Sequence, residues 1–323
     1  MMVETLLSDT LCADRTANED IRPGRGGSFL IDSPYGISVI QSGSYDAVEY
    51  RAEPHYGKLT QVMGEIGLPL ATRVTTSSGR VGTLADVLQD TIMRFSWDRE
   101  LEFIGSSLAF WLPPERSWTN QFGEKFTFDE LVMKLLRRPL GEGCCCGCHV
   151  PYAVAMILRA DGQHPVLSTR VRQLAFSWLR RVSETLEKNQ LPDGGWERDW
   201  GNTGQERLAY NDPALSRITL IGHHLEWMAF VPSEYRLPNK AIAKAVIRVE
   251  KEIDELPPLP YRSFKALLPC SHVARALCCC KGVDPFESFL LSRKAALPPK
   301  KASGVSNRSF VPDGNWPYRV VGR

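Results

Sequence analysis

Histidine, cysteine and glutamate are the residues of this chain whose spacing suggests chemistry. Three segments place His two residues after Gly or Cys at the head of an apolar run: Gly147-Cys148-His149-Val150, Gly222-His223-His224-Leu225 and Cys270-Ser271-His272-Val273. If each run opens a helix and the helices stand side by side, His149, His224 and His272 converge on one mouth of a shared cavity. Imidazoles there bind metal, transfer protons or, with the helix N-termini, contact an anion. Leu225-Glu226-Trp227 adds a carboxylate, and Leu101-Glu102-Phe103 repeats the pattern. A Glu inside an apolar helix must be paired or face a cavity, because a lone buried carboxylate is very costly. Two such groups would make an acid and a base. The plainer alternative is that each His caps a helix or packs on an aromatic ring, and that each Glu pairs with an Arg or faces solvent.

The nine cysteines are odd in number, and most fall in two runs, Cys144-Cys145-Cys146-Gly147-Cys148 and Cys278-Cys279-Cys280. Adjacent cysteines pair only through strained geometry, so this is not a secreted disulfide framework. Free thiols or a metal site fit better. Zinc takes Cys and His at tetrahedral positions, and Cys148 and His149 are candidate ligands, with Cys270 or His272 completing the set. Within a helix the side chains of residues 278–280 point around the axis and cannot share one ion. They read as small buried hydrophobes.

Helices must position these groups. The spacing predicts helices over 59–66, 84–95 capped by Thr83, 100–112 stopped by Pro113-Pro114, 128–138 opened by the Thr127/Glu130 capping box, and 149–159. Others follow over 168–188, 213–230, 239–256, 272–280 and 284–292. Apolar helices alternate with amphipathic ones, the pattern of two layers built from helix pairs. Residues 1–55 read as an irregular arm with short runs at 29–31 and 37–40 that are strands or loose chain. Residues 56–292 form the helical domain, and residues 293–323 are a Pro/Lys-rich tail with a Trp-containing turn.

Composition sets the outer bounds. Hydrophobic residues make up 43% and charged residues 24% of the 323, and the net charge is +2. That balance offers no concentrated basic face, so no nucleic-acid partner is expected. No apolar run approaches the ~20 residues of a membrane span. The N-terminus lacks a basic start followed by a long apolar stretch, which makes the cytoplasm the expected compartment.

Two Pro-Asp-Gly turns followed by Trp, at 192–196 and 312–316, carry a resemblance. The segment from Phe176-Ser177-Trp178 through Gln190-Leu191-Pro192-Asp193-Gly194-Gly195-Trp196 resembles the Gln-Trp repeat of the terpenoid cyclase and prenyltransferase-like α/α toroids. In those families the motif is structural and ties a helix end to the next turn. The resemblance implies an all-α fold of paired helices in a complete or incomplete toroid. It does not imply their chemistry, since neither an Asp-x-Asp-Asp nor an Asp-Asp-x-x-Asp motif is present. Cys148-His149 with a distant Cys is similar to the zinc ligands of the lanthionine cyclases, also α/α toroids.

Three functions follow as expectations. A central cavity lined by His149, His224, His272 and Glu226 binds a small or lipid-like molecule, with or without transforming it. Alternatively the chain is a non-catalytic scaffold that uses its outer face or basic tail, or a zinc-dependent enzyme centred on Cys148 and His149.

Overall fold

The computed structural model describes residues 30–40, 55–65, 67–201, 213–256 and 264–281. Expectations placed on residues 1–29 and 41–54, on the helix over 284–292, on the tail and on its Trp-containing turn lie outside them. The described chain is mostly helical, 58% helix and 10% strand. No helix among the described residues is long and apolar enough to cross a membrane. The chain divides into two compact units, residues 1–137 with 156–175, and residues 138–155 with 176–323.

The first unit holds three antiparallel hairpins that the all-α expectation did not contain. β1 (Leu30–Ser33) pairs with β2 (Gly36–Val39), so the two apolar runs of the supposed arm are strands. After α1 (Lys58–Glu65), β3 (Arg73–Thr75) pairs with β4 (Val81–Thr83), which leads straight into α2 (Leu84–Met93). After α3 (Leu101–Trp111), β5 (Ser117–Thr119) pairs with β6 (Lys125–Thr127), which leads straight into α4 (Phe128–Leu136).

The last two hairpin–helix segments are copies of one module. Arg73 pairs with Thr83 as Ser117 pairs with Thr127, and Gly79 and Gly123 hold positive φ at the same place in each loop. Each helix then opens on a capping Thr. Asp86 accepts from the Thr83 amide at 2.7 Å, and Glu130 from the Thr127 amide at 3.0 Å, while Thr127 Oγ1 accepts from the Glu130 amide. The strands are only three residues long, too short for a visible period-2 pattern.

α2 and α4 each bury one stripe: Leu84, Val87, Leu88 and Thr91, and Phe128, Leu131, Val132 and Leu135. α3 is covered on most sides, from Leu101 to Ala109. Phe95, Trp118, Phe126 and Phe128 form an aromatic core beside the second module, with ring centroids 4.7–6.1 Å apart.

α5 (His149–Gln163) and α6 (Thr169–Asn189) each have residues in both units. The second unit adds α7 (Pro213–Met228), α8 (Asn239–Asp254) and α9 (Phe264–Lys281), with 3-10 turns at Cys144–Gly147 and Ser233–Tyr235. α8 buries a single stripe, Ala241, Ala245, Val249 and Glu252, whereas the described side chains of α7 from Ile218 to Met228 are buried throughout.

The turn after α6 behaves as its sequence predicts. Trp196 Nε1 donates to the Leu186 carbonyl at 2.8 Å and closes the end of the helix. Gln190 Nε2 donates to the Gly194 and Ala241 carbonyls at 3.0 and 2.9 Å, tying the turn to the start of α8. Gly194 sits at φ +99°, and a Cβ there would lie 2.4 Å from the Lys244 carbonyl oxygen, so both its backbone angle and its contact exclude a side chain.

Candidate metal centre

All the candidate ligands lie in the second unit, and the packing of α7 on α9 brings the main group together. A Cβ on Gly222 would stand 3.0 Å from the Val273 amide nitrogen and 3.2 Å from the His272 Cβ. Glycine therefore allows the two helices to approach closely at this level. On α7, His223 and Glu226 are three residues apart and share a face. On α9, His272 faces them.

The resulting cluster is buried. His223 and Glu226 are 2% and 3% exposed, His149 and His272 6% and 9%. His223 Nδ1 lies 3.1 Å from Glu226 Oε2, and His272 Nδ1 lies 3.1 Å from both carboxylate oxygens. The His223 and His272 rings are 3.8 Å apart, and His149 packs edge-on against His223 at 4.4 Å. Arg275 stands 3.8 Å from Glu226 Oε1 and donates to the Tyr152 hydroxyl at 2.6 Å.

Charge is set by these neighbours. Burial alone would raise the Glu226 carboxyl, but His272, the His223 hydrogen bond and Arg275 outweigh it and hold the group well below its usual range. Burial, helped by His272 and His149, pushes His223 well below the usual imidazole value. Glu226 is thus an anion and His223 a neutral ring. In the absence of an ion, His223 donates its Nδ1 proton to Glu226. Its Nε2 is buried without a hydrogen-bond partner.

Among the described residues, two groups bring ligand atoms within 4.8 Å of one another: His223, Glu226 and His272, and Cys144, Cys145 and His149. The expected set Cys148, His149, Cys270 and His272 is not gathered as one. His149 belongs with Cys144 and Cys145, and His272 with His223 and Glu226. Cys148 is fully buried with its Sγ 3.9 Å from His224 Nε2, and burial pushes its thiol well up. Cys270, two residues before His272, points to another side of α9.

The expected cavity group His149, His224, His272 and Glu226 is only partly assembled. His224 packs between Trp196 and Trp200, with ring centroids 5.2 and 4.8 Å away, and burial pushes it down to about 3. Its neighbour His223 takes the place in the cluster. α7 begins at Pro213, as predicted, and α9 at Phe264, ahead of the predicted start at His272, so His224 and His272 lie well inside helices and only His149 opens one. Gly222 looks like a helix-starting residue in the sequence but is a point of helix contact. The usable signal was His223-x-x-Glu226, a spacing that puts both groups on one face. Glu102 is buried on α3 in the other unit.

Comparison with family models, curated proteins and solved structures finds no match to this chain.

Proposed function

We propose that this protein is metal-dependent, with a divalent transition metal of the zinc class held by His223, Glu226 and His272. The spacing of the ligand atoms supports this reading. Neighbouring ligand atoms around a tetrahedral ion bound at 2.0–2.1 Å stand about 3.3 Å apart. Here an imidazole nitrogen of His223 and one of His272 each lie 3.1 Å from the same carboxylate oxygen, Glu226 Oε2, and the three residues' ligand atoms fall within 4.8 Å of one another. The donor set also suits the ion, since the Glu226 carboxylate and the neutral His223 ring need lose little charge or proton to bind it.

Three protein ligands leave a fourth position, the count that goes with catalytic rather than structural zinc. An ion there supplies Lewis acidity to a bound water or a small ligand. Arg275 adds a fixed positive charge beside Glu226 and favours an anionic ligand. The expected small-molecule function is thus retained, with the ion as its binding element and His223 in place of His224. The alternation of buried and one-sided helices supports the paired-helix α/α toroid as the wider setting.

Metal analysis of the untagged protein, purified without chelator, tests this directly. At least one equivalent of zinc or a similar ion is expected, and one equivalent should be lost in His223→Gln, Glu226→Gln and His272→Gln variants that keep their far-UV circular dichroism. Metal-free protein that takes up no Zn2+ in calorimetric titration would leave the cluster as a hydrogen-bonded acid–base group and sink the proposal.

A further inference from the structure

The second group of ligand atoms is built differently and calls for a different ion. Adjacent residues in a helix or strand send their side chains apart. Here Cys145 and Cys146 both adopt left-handed backbone angles, φ 49° and 55°, between Gly143 and Gly147. This turn brings the Cys144 and Cys145 sulfurs to 3.4 Å of each other. Left-handed conformation is unfavourable for a non-glycine residue, so the arrangement needs support from its surroundings. Trp200 Nε1 donates to the Cys146 carbonyl at 2.8 Å, and the Cys148 amide to the Cys145 carbonyl at 3.3 Å. His149, the first residue of α5, completes the set.

We propose that Cys144, Cys145 and His149 form a second metal site, selective for a soft, thiophilic ion of the Zn2+, Cd2+ or Cu+ class. Two thiolates and one imidazole match such ions and discriminate against hard, oxygen-seeking ones. A tetrahedral ion bound by two sulfurs at ~2.3 Å separates them by about 3.8 Å, within a few tenths of an ångström of the distance found. Cys144 and Cys145 are partly exposed, so an ion can reach them from solvent, whereas the Cys148 thiol is sealed against His224. The two sites are neighbours through the contact of His149 with His223. They share no ligand, and this second site does not depend on the first being a metal centre.

Cd2+ titration of the full-length, reduced, metal-stripped protein tests the assignment by its near-ultraviolet sulfur-to-metal absorption. The band should account for one equivalent of bound Cd2+. Cys144→Ser and Cys145→Ser should each weaken Cd2+ binding at least tenfold, and His149→Gln should weaken it as well. His272→Gln should leave the band intact while removing the equivalent that binds without it, which separates a failure of one site from a failure of the other. Cys278→Ser should change nothing. In parallel, Cd2+ should shield Cys144 and Cys145 of the unmodified protein from alkylation, a readout that requires no variant to fold. The site is overturned by a reduced protein without the band, by a band that survives Cys144→Ser/Cys145→Ser, by its loss in Cys278→Ser, or by unshielded thiols.

Discussion

At the scale of single residues, two neighbouring histidines have opposite environments. His223 has a carboxylate on one side and an unpartnered, buried Nε2 on the other. His224 is wholly buried against two indoles, its Nδ1 without a partner. Replacing His224 removes that costly unmet nitrogen and leaves only the Cys148 thiol, a weak donor 3.9 Å from Nε2, without its partner. His224→Leu should therefore change stability by less than about 1 kcal/mol and leave metal binding intact. His223→Leu should abolish the zinc-class equivalent. A denaturant melt and a metal assay on both variants check this, and loss of metal in His224→Leu alone would reverse the roles assigned to the pair. Sequence alone favoured His224 because its distance from Gly222 imitates the other two His segments. The helix start at Pro213 was legible, but which of two adjacent histidines faces a neighbouring helix depends on the packing of α7 on α9, which no local spacing encodes.

At the scale of elements, the meeting of α7 and α9 is set by a missing side chain. A methyl group on Gly222 would press on the α9 backbone at Val273, which has no rotamer to yield. Gly222→Ala should separate the helices by a fraction of an ångström and cost about 1–3 kcal/mol, the usual range for overpacking. It should also weaken zinc binding more than it lowers the melting temperature, because ligand spacing is less tolerant than packing. Equal metal affinity in Gly222→Ala and the parent protein would show that the spacing does not depend on this contact. Helices were the legible part of the sequence. Thr83, Thr127, Gly194 and Pro113 marked boundaries within a few residues, since caps and breakers act locally. α9 was the exception, predicted to start at His272 and found to start at Phe264. The hairpins were missed because strands of three residues leave no alternation to read, and the shared module shows only in the Gly79/Gly123 and Thr83/Thr127 correspondence.

At the scale of the whole molecule, each unit contains a buried carboxylate tied to arginine. In the first, Asp161 accepts from the Val166 and Leu167 amides at 2.9 and 2.8 Å and from Arg172. In the second, Glu252 is held by Arg217, at 2.6 Å, and by Arg248. Burial would raise both carboxyls, but Arg172 with the two amides, and Arg217 with Arg248, outweigh it and hold them below their usual values. A carboxylate whose folded value is lowered stabilises the fold fully above its unfolded value, about 4, and loses that contribution as pH falls toward the folded value. Thermal stability should thus fall steeply below about pH 4. Asp161→Asn should be less stable near neutrality by about 3 kcal/mol and show a shallower fall in acid; parallel curves for variant and parent would remove Asp161 from the acid response. The duplicated hairpin–helix module has a further consequence, for the order of events as the chain is made. Its contacts span few residues, and short loops close in well under a microsecond. Both copies leave the ribosome before Glu226 or His272 has been synthesised. The growing chain can fold these pieces at once, while His223 and Glu226 meet His272 only when α9 has been completed, making capture of the ion proposed for that cluster a late step of maturation.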